Sequence, residues 1–253
     1  MNRAAGILMP ITSLPGKYGI GCFSNEAYSF VDWLKEAGQT FWQILPIHPT
    51  SYGDSPYQSF STFAGNPYFI DLETLIEEGV LTREECDSLD FGDDDTDIDY
   101  EQMYSSRYIL LTMAYERSNI SQDPAYQQFL SENRWWLDDY ALFMALKNNF
   151  KGQCWYEWPQ DIRLRWGYAM DYYRRELYFD IEFQMYLQFK FFQQYGWLKS
   201  YANSQGVKII GEVDLNALLG AIIGENIQIL SVNCTQSSFE DYYLNLIGGG
   251  RNG

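Results

Sequence analysis

One loop of this sequence holds the polar and aromatic side chains best suited to binding a ligand. Tyr52, Asp54, Ser55 and Tyr57 lie within SYGDSPYQSFSTFAGNP, residues 51–67. A tyrosine offers a flat apolar ring and a hydroxyl, while a serine and an aspartate add hydrogen bonds that orient a ligand. Taken singly, the tyrosines are more often loop-packing aromatics, and Asp54 serves equally well as a turn residue. The loop therefore predicts a binding site, with local packing as the alternative.

Catalytic bases and metal ligands are scarce elsewhere. His48 is the one histidine, and no nucleophile partner for it can be identified from the sequence. The acidic run FGDDDTDID, residues 91–99, has neither the spacing of a calcium-binding EF-hand nor a glutamate at its twelfth position. The four cysteines form no CxxC pair. We therefore expect no metal ion and no organic cofactor.

The elements around the loop predict an α/β fold. Apolar runs at Gly6–Leu14, Phe41–Ile47 and Val207–Ile210 are typical of strands buried on both faces of a parallel sheet. Between the first two runs, apolar residues at helical spacing follow a cap at Ser24 or Asn25, and Gly38 ends the helix. The loop directly follows the second strand, where ligand sites of parallel α/β proteins lie.

The rest of the chain is mostly helical by its periodicity. We expect a short strand at Tyr68–Leu72, an acidic helix at Glu73–Ser88, and aromatic-rich helices over residues 100–150. A long helix is predicted over Asp180–Asn203. The apolar residues on one side of that helix are Phe183, Leu187, Phe191, Tyr195 and Leu198.

Composition excludes several classes of partner. The 253 residues are 46% hydrophobic and 18% aromatic, and the net charge is −17. This charge repels phosphate backbones and anionic lipid, so we expect neither nucleic-acid nor membrane binding. No apolar run approaches the ~18–20 residues of a membrane span, and no signal peptide is visible. A cytoplasmic location is the expectation.

Two stretches carry a specific resemblance. GILMPITSLPGKYGIG, residues 6–21, and WQILPIHPTSYGDSPYQSFSTFAGNP, residues 42–67, resemble the amylomaltase or disproportionating-enzyme family, the 4-α-glucanotransferases. The likeness continues more loosely at YSSRY, WYEWP and QFKFFQQYGWLKSYANSQGVKIIG. It covers about residues 5–211.

The resemblance implies a fold and an activity. The fold would be the N-terminal portion of a (β/α)8 TIM barrel with a large helical insertion after the second strand. The activity would be transfer of α-1,4-glucan segments between maltooligosaccharides by a retaining mechanism without cofactor. By this resemblance Tyr57 and Ser55 lie near the sugar subsites at the cleavage point, and Tyr52 belongs to an outer glucan contact; Asp54 completes the substrate-binding set.

The same resemblance divides the chain into four parts. These are the first barrel strands and substrate loop (1–72), a helical insertion (73–160), a return helix with the third strand (161–212), and a non-family α/β tail (213–253). The tail weakly resembles the C-terminal end of a transport ATPase, which motivates the hypothesis of a gene fusion.

The catalytic acids are expected to be missing. A retaining mechanism needs two carboxylates about 5 Å apart, and in this family they come from later barrel strands. Because the third strand is predicted near Val207, we expect an incomplete barrel, no catalytic residue, and no activity of the chain alone. Glu212 and Asp214 point to one face of a strand, but a polar strand end explains them better than a catalytic pair.

Two alternatives to an enzyme remain open. The chain could be an inert fragment or a weak maltooligosaccharide-binding module. A barrel fragment also exposes the edges of its sheet, which favours self-association.

Overall fold

The computed structural model describes residues 4–50, 53–92 and 97–211. Within these ranges the chain folds into a small parallel sheet covered by helices, an α/β arrangement. The three strands lie in the order in which they occur in the sequence. Because neighbouring parallel strands need a crossover between them, helices connect each strand to the next.

The sheet is short and regular. It consists of β1 (Gly6–Leu8), β2 (Phe41–Gln43) and β3 (Lys208–Ile210). In the central row of the sheet, Ile7 pairs with Trp42, and Trp42 pairs with Ile209. All three predicted strands are confirmed, although each is shorter than its apolar run.

The first strand ends early because a proline follows it. Pro10 has no N–H to donate to a neighbouring strand, and a 3-10 turn at Ile11–Ser13 follows it. The prediction that this sheet is buried on both faces was wrong. Leu8 and Ile210 occupy one row of the sheet and expose 55% and 41% of their surface. Within the described residues, one face is packed through Trp42 and the other remains largely open.

The helices account for most of the described chain. They are α1 (Asn25–Glu36), α2 (Leu72–Glu77), α3 (Arg83–Asp87), α4 (Tyr100–Arg117), α5 (Pro124–Asn149), α6 (Gln160–Arg163), α7 (Gly167–Glu176) and α8 (Tyr178–Ser204). The first of them confirms the predicted helix: Ala27, Val31 and Leu34 are buried against the sheet, and Gly38 ends the helix with φ = 68°. None of these helices is long and apolar enough to cross a bilayer.

The predicted strand at Tyr68–Leu72 was wrong. Asn66 instead caps a 3-10 turn at Pro67–Phe69, where its side chain accepts a hydrogen bond from the Tyr68 amide. Asp71 then caps α2 by accepting from the Thr74 amide. The acidic helix expected after it divides into α2 and α3, because Gly79 has the positive φ that ends a helix.

The long helix α8 joins two hydrophobic clusters. Phe183, Leu187 and Phe191 belong to the cluster around the sheet and α1, whereas Met185 and Phe189 belong to a second cluster with α5 to α7. The predicted helix is confirmed, but its burial extends around the whole circumference from Phe183 to Phe191 and is not confined to one side. The helix is therefore a central support for both clusters.

Some predicted features lie outside the described residues. These are Tyr52, Glu212 and Asp214, and the tail at 213–253.

Candidate functional site

The 48–67 loop leaves the carboxyl end of β2 and returns to it. The Asn66 amide donates to the Ile47 carbonyl at 2.9 Å, and the His48 ring nitrogen Nδ1 lies 3.1 Å from the Ala64 carbonyl oxygen. We call Ile47, His48 and 64–66 the neck of the loop. Its two chain ends are held together here.

Three of the four predicted contact residues lie in the arm of this loop, residues 53–60. The Thr50 hydroxyl donates to the Asp54 carboxylate at 3.0 Å, and the Tyr57 amide donates to the Ser55 hydroxyl at 3.4 Å. Asp54 has φ = 51°, a conformation that aspartate tolerates better than most residues and that suits a turn. The Tyr57 side chain is 56% exposed and therefore free to meet a ligand.

A cavity of about 180 Å³ lies between this arm and the carboxyl ends of β1 and β2. Asp54 lines it, whereas Ser55 and Tyr57 do not. Its other polar and aromatic lining residues include Thr12, Ser13, Thr50, Asn66, Tyr68 and Tyr100. Asp54 thus combines a turn conformation with a place at the cavity wall, and its role as a ligand contact stays a prediction.

Two tyrosines of this cavity have raised pKa values, and the Asp54 carboxylate contributes to both shifts. Burial, and after it the Asp54 carboxylate, raises the pKa of Tyr68 well above its usual range. The same two causes raise the pKa of Tyr100. A tyrosine hydroxyl is protonated at neutral pH even at its usual pKa, so both can donate hydrogen bonds to a polar ligand.

A second, more aromatic cavity of about 410 Å³ adjoins the first. Its ring-bearing lining residues are Phe60, Tyr68, Tyr104, Tyr108 and Tyr140. Phe60 lies nearly parallel to Tyr140, with ring centroids 6.5 Å apart, and the Lys147 ammonium lies 5.2 Å from the Phe60 centroid. Flat rings edged by hydroxyls suit the alternating apolar faces and polar edges of a sugar chain.

The two cavities share Thr50, Asn66 and Tyr68, so they form one continuous surface beside the loop. Sequence reasoning missed Tyr68 and Tyr104 as site residues. A signal existed for each: Tyr68 follows the loop directly, and Tyr104 opens the YSSRY stretch of the resemblance. His48, in the neck, lines neither of these cavities but a different one, with Phe63 and Trp135.

Carboxylates are few at this surface. Asp54 is the one acidic residue among the described residues that line the two cavities. A retaining glycosidic mechanism requires a pair about 5 Å apart, so the described lining provides contacts and no acid pair. In the described ranges, no group of three His, Cys, Asp or Glu residues is placed to hold a metal ion.

These features define an α/β protein with an aromatic, cavity-lined surface at the carboxyl ends of its parallel strands, the end at which ligand sites of such folds lie. The sequence profile of the 4-alpha-glucanotransferase family matches residues 9–217, and the chain belongs to this family. The match ends slightly beyond Gly211, the boundary given by the sequence analysis.

The relatives carry the same family description. The 4-alpha-glucanotransferase of Clostridium butyricum is 47% identical over 207 residues, which are 82% of this chain and 42% of the relative. The enzyme of Thermus thermophilus is 42% identical, over 85% of this chain and 43% of its own length. The chain thus spans less than half the length of these relatives.

Solved structures agree in fold. Amylomaltase from Streptococcus agalactiae in complex with acarbose superimposes with a TM-score of 0.78 and 41% identity, covering 83% of this chain and 43% of that one. Amylomaltase from Corynebacterium glutamicum shares the fold at 19% identity with a TM-score of 0.63.

Proposed function

We propose that this chain supplies a glucan-binding surface of a 4-α-glucanotransferase, which transfers α-1,4-glucan segments between maltooligosaccharides by a retaining mechanism. The observation that carries the proposal is the exposed Tyr57 on a loop closed at the end of β2, beside two joined cavities rich in tyrosine. Tyr57, Ser55, Asp54 and Tyr52 are the proposed substrate contacts. The acid pair for the chemistry lies outside the described lining.

The proposal includes an architecture. The three-stranded sheet would be the first part of a (β/α)8 barrel, with a helical insertion at 73–160, a return helix and third strand at 161–212, and a tail at 213–253. The open row at Leu8 and Ile210 supports this idea, because the inner face of a complete barrel is filled by side chains of its other strands.

Calorimetry with maltoheptaose tests the binding part of the proposal. We expect measurable heat with the wild-type chain and about tenfold weaker affinity for Tyr57→Ala, the loss expected when one aromatic contact is removed. Tyr168→Ala is the matched control, because Tyr168 is similarly exposed but lies on α7, away from the loop. Equal affinities of the wild type and Tyr57→Ala would contradict a role of the loop in binding.

Incubation with maltotriose tests the catalytic part. We expect the chain alone to bind without releasing glucose or forming longer oligomers. Clear disproportionation would overturn the expectation that the acids are missing from this chain. Absence of both binding and turnover would favour an inert fragment over a maltooligosaccharide-binding module.

Self-association through the sheet edges is a second proposal, supported by β1 and β3, whose outer edges pair with no other strand among the described residues. Sedimentation of the purified chain would reveal oligomers at micromolar concentration. A monodisperse, cooperatively melting monomer would contradict it.

A further inference from the structure

Two glutamines on α8 make the same unusual contact with the chain that follows β2. The Gln188 amide accepts from the Gly65 N–H at 2.7 Å and donates to the Gly65 carbonyl at 2.9 Å. The Gln194 amide accepts from the Asp71 N–H at 2.7 Å and donates to the Asp71 carbonyl at 3.2 Å. Both side chains are at most 1% exposed.

Each glutamine therefore satisfies both backbone groups of one residue, as a neighbouring strand would. The side-chain amide has one acceptor and one donor in the geometry that a peptide group offers. Six residues along α8 span about 9 Å, so the helix fixes two points of the segment 65–71 at a set distance. Buried backbone groups left without these partners would cost free energy.

The two contacts hold different parts of the molecule. Gln188 holds Gly65, which lies in the neck between Ala64 and Asn66, the two residues that close the loop onto His48 and Ile47. Phe191, one turn further along α8, packs so closely on Gly65 that a Cβ there would lie 2.1 Å from its ring. Gln194 holds Asp71, which lies beyond the loop and caps α2.

Aromatic contacts with α5 also orient the loop, among them Phe63 with Trp136 and Phe60 with Phe143. Phe63 meets Trp135 of α5 edge-on, with ring centroids 4.8 Å apart, and Phe60 meets Tyr140 of the same helix. The arm itself is held by local hydrogen bonds at Asp54 and Ser55. The two hydrogen bonds between Gln188 and Gly65, the buried tie of the neck, join its backbone to α8, whereas the ring contacts join side chains. The tie therefore helps to set the direction in which the arm leaves the neck.

We propose that Gln188 is a positioning residue for the glucan contacts of the 48–67 loop, and that Gln194, with identical chemistry, serves stability alone. The proposal rests on the proposed function for its ligand, but the loop geometry it describes is measurable without one. Gln188 acts through Gly65 and the neck on Tyr57, and it does not touch the substrate.

Hydrogen exchange of the full chain tests the geometric part. In Gln188→Ala we expect amides of residues 53–66 to exchange about tenfold faster than in the wild type, because the neck loses its two buried hydrogen bonds to Gln188. In Gln194→Ala the same amides should keep wild-type protection, while those of 70–74 lose it. Equal protection of 53–66 in the two variants would overturn the proposal.

Maltoheptaose affinity tests the functional part at a temperature where both variants are folded. Gln188→Ala should bind about tenfold more weakly, and Gln194→Ala within about twofold of the wild type. Equal losses in both variants would indicate a merely structural role and overturn the proposal. If the wild type itself fails to bind, the proposed function fails, and the exchange experiment still decides the positioning role.

Gln188→Glu tests whether a protonated carboxylic acid restores the loop protection that the amide provides. It also serves as the test variant if Gln188→Ala does not fold. A protonated carboxylic acid accepts and donates as an amide does, whereas a carboxylate cannot donate to the Gly65 carbonyl. Because burial raises a carboxyl pKa, we expect wild-type loop protection near pH 5 and its loss near pH 8. His48 contacts the same neck in every variant, so each is compared with the wild type at the same pH. No recovery at pH 5 would count against the proposal.

Discussion

The two halves of the segment from Gly53 to Leu72 are built in opposite ways. In the arm, residues 53–60, hydrogen bonds are local and Tyr57 is 56% exposed. From Ala64 to Leu72 the chain is almost fully buried, and its backbone is held by side chains more than 30 residues away in sequence. The molecule thus combines a rigid base, residues 64–72, with the accessible arm, residues 53–60.

This contrast shows where stability and binding are located. Regions with few buried contacts open at low free energy, whereas buried and cross-linked segments open only when the whole domain unfolds. Substitutions in the base should therefore change the free energy of unfolding, and substitutions in the arm should change affinity. Three predictions test this division, and a fourth concerns a surface ion pair that lies outside both parts.

The largest effect is expected at Gly65. A Cβ at this position would lie 2.1 to 2.4 Å from ring atoms of Phe191, so Gly65→Ala must displace either the ring or the neck. We expect a loss of about 3 kcal/mol in the free energy of unfolding. Gly53→Ala is the counterpart in the arm: it has open space but φ = 84°, and should lose about 1 kcal/mol. Urea unfolding measures both, and equal losses would contradict the division.

Arg107 provides a further buried hydrogen bond to the base, at Ile70. Its fully buried guanidinium donates to the carbonyls of Tyr18 and Ile70, and burial lowers its pKa. Arg107→Met leaves two buried carbonyls without a donor and should cost about 2 kcal/mol in urea unfolding.

Arg163→Met is the control for this substitution. Arg163 also donates to a backbone carbonyl, that of Tyr156, but it is exposed. Water can replace the lost donor there, so we expect a change within about 0.5 kcal/mol. Comparable losses at the two positions would mean that burial of the carbonyls does not matter.

A surface ion pair should have a smaller and pH-dependent effect. Hydrogen bonds from Arg117, followed by one from the Thr82 amide, lower the pKa of Glu85 to about 2. A lowered folded-state pKa contributes stability above the unfolded value of about 4.3, and this contribution is lost as pH falls toward 2.

The comparison of Glu85→Gln with the wild type tests this sign. The melting temperature of the variant should be slightly lower at pH 6, and the difference should shrink by pH 3. High salt should also reduce the difference at pH 6, because the pair is exposed to solvent. A difference that stays constant with pH would contradict the assignment to the Arg117 pair.

The smallest change in stability is expected at the tip of the arm. Tyr57→Ala removes an exposed ring and should alter the free energy of unfolding by less than about 0.5 kcal/mol. The same variant is expected to lose maltoheptaose affinity, so the two measurements separate binding from folding. A large loss of stability would mean that the ring packs within the loop.

Local patterns were sufficient to predict the three strands, α1 and the long helix α8. The helical spacing of Ala27, Val31 and Leu34 predicted α1, and the glycine at its end was placed correctly. The apolar runs located all three strands, because a buried strand requires such a run. Their lengths were overestimated, since an apolar residue in a loop also contributes to a run.

The error at Tyr68–Leu72 has a specific origin. YFIDL has the composition of a strand, but Asn66, Pro67 and Asp71 each favour a turn or a helix start. Side-chain caps on the Tyr68 and Thr74 amides decided the conformation. These capping signals were in the sequence and should have outweighed the apolar composition.

The site could be predicted only in part. The resemblance identified the family correctly and pointed to the loop, whereas the roles of Tyr57, Ser55, Asp54 and Tyr52 stay predictions. The hydrogen bonds of Gln188 to Gly65 and of Gln194 to Asp71 could not be predicted from the sequence, because each pair of residues is 123 positions apart. A partial signal was present: both are amides on a helix whose neighbours are mostly apolar.

The arrangement of the strands has a consequence for synthesis of the protein. β2 and β3 are adjacent in the sheet, yet residues 44–207 lie between them in the chain. At about 5–20 residues per second, a ribosome adds this segment in on the order of 10–30 s. During that interval β2 has β1 on one side and no partner on the other, and an unpaired strand edge invites pairing with another chain. The wait for Lys208–Ile210 is therefore a period in which the nascent protein depends on its helices, or on a chaperone, to cover that edge.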